Sequence, residues 1–144
     1  MLSPTSYFVV LAIVCIYAFA RGEAESRIAA GISGVASIAS VIVMSPIAGR
    51  YSHMEAGVFA VDLAVLAGFT AIALRSDRFW PLWLAGLQLT TILAHIFKVV
   101  DFQLVPQIYA AAARFWVYPI FLIIVIGTWR SQHRRSDDQH YSLP

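Results

Sequence analysis

Charge is scarce in this chain: Asp, Glu, Lys and Arg together make up 12% of its 144 residues, about half the share usual in a soluble domain. So few charges cannot cover a water-facing surface of this size, and no basic block of the kind that binds nucleic acid is present. Cysteine occurs once, as Cys15 inside an apolar run, which excludes a dithiol redox pair and reads as a small buried hydrophobe. The HExxH, nucleophile-elbow, P-loop and dinucleotide-glycine patterns are all missing, so the residues point to no enzyme. Internal repeats are missing too, as is the inverted pair of halves found in many secondary transporters.

What fills the chain instead is apolar: 60% hydrophobic residues and a mean hydropathy of +0.74. A bilayer core roughly 30 Å thick takes about 20 apolar residues in helical form. Stretches 28–49, 56–74, 79–100 and 108–129 meet that length, and 4–20 falls a little short. Pro4 suits the first position of a helix capped by Ser3. Ala18-Phe19-Ala20 has the small-x-small form of a signal cleavage site, but no basic n-region precedes the apolar run. The expected fold is therefore all-α, a polytopic transmembrane bundle of five spans over 1–129, or four if the first is a cleaved signal. A polar tail, 130–144, has too few apolar residues to fold alone and is expected to be disordered.

Positively charged connections stay on the cytoplasmic side. Arg21, Arg27, Arg75, Arg78, Arg130, Arg134 and Arg135 fall on one side of a five-span chain, against Arg50, Lys98 and Arg114 on the other. Seven against three predicts an outside N-terminus and a cytoplasmic C-terminus. The connections 21–27, 50–55, 75–78 and 101–107 are short enough to make sequential helices antiparallel neighbours. Tail arginines Arg130, Arg134 and Arg135 are expected to meet anionic headgroups, or alternatively to dock a cytosolic partner.

Small residues crowd the second span, where Gly31, Ser33, Gly34, Ser37 and Ser40 follow within three turns. Helices in lipid associate where small side chains let backbones approach, so this face is expected to pack within the bundle or, as an alternative, against a second copy. Pro119 lies inside the fifth span and removes a helical hydrogen bond, which predicts a kink near Phe115.

An ionisable residue at membrane depth costs a few kcal/mol unless paired or hydrated (about 2.5–3.5 kcal/mol on insertion scales), so such residues are the first candidates for a site. Asp62 lies about 10 Å below the outer end of the third span and Arg114 about as far down the fifth, with His95 a turn inside the outer end of the fourth. All three reach the same outer-leaflet layer. Gln88, Thr91, His95 and Lys98 follow at offsets that share one helical stripe, Asp62 shares a face with Thr70, and Arg114 shares one with Gln107 and Tyr118. These spacings predict a polar core open to the outer side, with His53 and Asp101 at its rim.

Four chemistries fit that cluster. In the plainest, Asp62 and Arg114 neutralise each other, His95 bonds to one of them, and helix register is fixed. In a second, a small polar solute or proton is bound or passed, imidazole being the side chain that changes charge near neutrality. Haem or another metal-centred pigment on His95 or His53 is a third, with Arg114 beside a propionate. A fourth is general acid–base work on lipid by Asp62 and His95, for which no nucleophile is evident.

The segment 76–101, centred on Trp80-Pro81-Leu82-Trp83, Gly86, Gln88 and His95, resembles a stretch of small, uncharacterised inner-membrane proteins of alphaproteobacteria. The resemblance implies a bacterial cytoplasmic membrane and no particular activity. Two functions follow as expectations. One is an accessory or scaffold subunit packing against other membrane proteins in the bilayer; the other is a small channel, carrier or ligand-binding protein, alone or as a homo-oligomer.

Overall fold

Where no water is available to bond backbone groups, an apolar chain satisfies them within helices, and the computed structural model is built that way: α1 (Pro4–Arg21), α2 (Ala24–Met44), α3 (Tyr51–Arg75), α4 (Trp80–Val100) and α5 (Pro106–Tyr141). The structure describes the backbone of residues 4–44, 51–100 and 106–141 and the side chains of 5–43, 56–97 and 115–134. Among the described residues there is no strand. Among the described residues, three segments are individually long and apolar enough to cross a membrane: Ala24–Val43, Ala56–Arg75 and Trp80–Phe97. The apolar part of α1, Thr5–Arg21, is shorter.

Helix ends differ from the apolar boundaries read in the sequence. Helix α2 begins at Ala24 rather than position 28, and α3 at Tyr51 rather than 56, because polar residues such as Glu25 and Ser26 continue a helix they do not make apolar. The larger correction is the tail. Polar composition predicts disorder from 130, yet α5 runs unbroken to Tyr141. Neither Gly nor Pro occurs between Thr128 and Leu143, and a helix already nucleated by an apolar span gains one bond for each residue it adds. The same helix continues through Pro119.

Each helix packs on its sequence neighbour, and α1 also packs on α5, so the five close into a ring, with α2 touching α5 across it. Inward positions repeat at three and four residues: Leu11, Val14 and Ala18 on α1; Val65, Phe69 and Ile72 on α3; Pro81, Leu84 and Gln88 on α4. This is the stripe that lets side chains of one helix enter gaps on the next. Phe69, Leu84 and Ile124 are the largest apolar side chains fully enclosed there. The outer faces carry large apolar side chains as well, among them Ile16, Val35, Ile42 and Leu74.

Two tight turns set the geometry of one end of the ring. Gly22 N–H donates to the Ala18 carbonyl at 2.7 Å, and a Cβ on Gly22 would overlap that carbonyl oxygen, so only glycine permits the two-residue turn from α1 to α2. Between α3 and α4, the Ser76 hydroxyl accepts from Arg78 N–H at 3.1 Å, the local bond by which serine stabilises turns.

Candidate functional site

The most extensive helix contact, α3 against α4, contains the polar site. Asp62 projects from α3 toward Gln88 and His95, which stand two turns apart on one stripe of α4. His95 Nε2 lies 3.0 Å from Asp62 Oδ2. Gln88 Nε2 donates to Asp62 Oδ1 at 3.1 Å and to the Asp62 backbone oxygen at 3.3 Å. One carboxylate is thus held from two turns of the facing helix, each of its oxygens having a partner. Gln88 is buried, whereas the Asp62 and His95 side chains are 21% and 25% exposed. The Phe59 ring meets the His95 imidazole edge-on, with centroids 6.0 Å apart.

The expected cluster is brought together in part. Asp62, Gln88 and His95 converge. Thr91 is buried on the same stripe, but its hydroxyl bonds to the Leu87 carbonyl at 3.4 Å, one turn back in its own helix. Tyr118 is half-buried on α5, with no bond to the cluster among the described residues. The side chains of His53, Lys98, Asp101, Gln107 and Arg114 lie outside the described residues, so the expected Asp62–Arg114 pair falls there too. Within the described part, Asp62 takes its partners from His95 and Gln88. One ring nitrogen of His95 faces Asp62, leaving Nδ1 without a partner among the described residues. No three His, Cys, Asp or Glu side chains gather to hold a metal among those residues.

The small-residue face of α2 meets α1. Ser33 and Ser37 are buried and bond back to the Ala29 and Ser33 carbonyls at 3.0 and 2.7 Å. Tyr7 of α1 joins Ser37 through a 2.6 Å hydroxyl–hydroxyl bond. Ala29 and Ala30 are fully enclosed. A Cβ at Gly31 or Gly34 would meet only Phe19 at 3.8 Å or Cys15 at 3.7 Å, ordinary contact distances; Ser40 is half-buried. Closer approaches lie on α3, where a Cβ would fall 2.5 Å from Val43 Cγ1 at Gly57 and 2.8 Å from Ile32 Cδ1 at Gly68.

A second polar group was not singled out in the sequence. Arg78, between α3 and α4, forms an ion pair with Glu23 in the α1–α2 turn, and its Nε lies 3.8 Å from Glu25 Oε2. At 3.8 Å the Glu25 contact is charge attraction without a hydrogen bond, and Glu25 Oε2 is accordingly buried without a bonded partner among the described residues, as are Ser26 Oγ and Trp80 Nε1. Gln132 Nε2 reaches the Arg21 carbonyl at 3.4 Å. The first turn, the third turn and the extension of α5 therefore share one end of the ring. The signal available in the sequence was parity: with helices alternating in direction, Glu23 and Arg78 occupy connections on the same side.

No family model, curated protein or solved structure matches this chain.

Proposed function

We propose that the chain is a five-span protein of the bacterial cytoplasmic membrane, with its N-terminus outside and C-terminus inside, serving as an accessory or scaffold subunit for other membrane proteins. The observation that carries this reading is the use of its polar groups. At membrane depth, Asp62, Gln88 and His95 bind one another, and Tyr7 binds Ser37, so these groups act to hold helices together. The perimeter offers large apolar side chains to other helices. Five spans are supported by the shared end described above, since α1, α3 and α5 all direct their C-terminal ends to it. Its excess of arginine supports the cytoplasmic assignment, and the resemblance of 76–101 supports a bacterial inner membrane.

Gentle solubilisation from native membranes followed by native mass measurement tests the subunit reading. The expected result is a complex with different polypeptides; a particle containing this chain alone counts against it.

A second reading, binding or transfer of a proton or small polar solute, is favoured by one feature. The Asp62–His95 pair is not fully enclosed, and Nδ1 of His95 lacks a partner among the described residues. A transporter of that kind would move solute or protons in liposomes with no other polypeptide present.

A further inference from the structure

The end of the ring that carries Glu23 and Arg78 also has a half-open groove of about 470 Å³ between α4 and α5. Its upper wall bears Arg78, Arg130 and Arg134, with Asp77 as the one acidic lining residue among the described residues. Arg78 is already engaged by Glu23 and Glu25. Arg130 and Arg134 stand one helical turn apart, both exposed, and neither meets a carboxylate among the described residues. The deeper wall is apolar, formed by Ile123, Ile126 and the largely exposed Trp83. Trp80 lies flat against Gly127, where a Cβ would come within 2.9 Å of its ring, and its indole N–H is a buried donor with no partner among the described residues. Cationic side chains above an apolar cleft match a molecule that has an anionic head and a hydrocarbon tail.

We propose that this groove binds one anionic phospholipid, the phosphate against Arg130 and Arg134 and an acyl chain along Trp83, Ile123 and Ile126. Two guanidinium groups on successive turns can each offer paired N–H donors to phosphate oxygens, and basic clefts between membrane helices are suited to such headgroups. The inference shares only the membrane location with the function proposed above. Loss of co-purifying subunits would leave it standing, and loss of lipid binding would leave the subunit reading standing.

The full chain in detergent, supplied with either phosphatidylglycerol or phosphatidylcholine and weighed by native mass spectrometry, provides the test. Phosphatidylglycerol should be retained preferentially, and R130Q/R134Q should reduce its retention roughly tenfold or more, the scale set by removing two arginines from a headgroup contact. Arg27→Gln, an exposed arginine at the same end but outside the groove, should change it little. Equal retention of the two lipids, unchanged retention in R130Q/R134Q, or an equal loss in Arg27→Gln would overturn the proposal. Competition by inorganic phosphate alone would also overturn it, since the groove would then take phosphate from solution. A second readout keeps both arginines and so does not depend on R130Q/R134Q folding. Phosphatidylglycerol brominated on its acyl chains should quench the fluorescence component lost in Trp83→Phe more strongly than brominated phosphatidylcholine at the same mole fraction; equal quenching contradicts the site.

Discussion

Gly68 shows how a single position can shape a helix contact. Its missing side chain admits the Ile32 methyl group of α2, which a Cβ would meet at 2.8 Å. Gly68→Val should therefore displace the Ile32 side chain from the α2–α3 contact and destabilise the fold by about 1–3 kcal/mol, the usual cost of overpacking a filled contact. Gly86 is the control, because a Cβ there would meet nothing within 4 Å among the described residues. Gly86→Ala should be neutral or stabilising by up to about 1 kcal/mol, as replacing glycine within a helix generally is. Thermal unfolding in detergent measures both, and equal destabilisation would contradict the packing described. The sequence does not distinguish the packing of the two glycines, since an isolated glycine in an apolar run gives no sign of which side its neighbour approaches.

Among the helices, the turns at one end carry as much information as the spans. Arg78 ties the α3–α4 connection to Glu23 and Glu25, while Gln132 ties α5 to the end of α1. With Cys15 replaced by Ala, single cysteines at Arg27, Asp77 and His133, all exposed, should react with a membrane-impermeant thiol reagent from the same side, the cytoplasmic one. A split between the two sides would break the parity of the fold. Much at this scale was legible beforehand. Apolar length located the helices, and the spacing of Gln88 and His95 placed them on one stripe opposite Asp62. Thr91 shares that stripe, but its spacing did not reveal that the hydroxyl turns back to Leu87. Polar character obscured the other features: Glu25 and Ser26 lie in α2 although they looked like connection, and positions 130–141 are helical although they looked like tail. Periodicity was weak because both faces of these helices are apolar, so the inward stripe of Val65, Phe69 and Ile72 is scarcely distinguishable in sequence from the outward Leu63 and Leu74.

For the molecule as a whole, closure of five helices into a ring leaves an apolar perimeter and places the polar bonds between helices. Native mass measurement should accordingly find other membrane polypeptides on that perimeter. The central claim is that polar side chains at membrane depth hold α3 to α4. Its most direct test is a double-mutant cycle on Asp62→Ala and His95→Ala, read as unfolding free energy in detergent micelles or bicelles. The pair should couple by about 0.6–2 kcal/mol, the range for polar contacts between membrane helices, with the double variant less damaged than the sum of the single ones. Effects that add to within about 0.3–0.5 kcal/mol, as for residues that do not touch, would contradict the account.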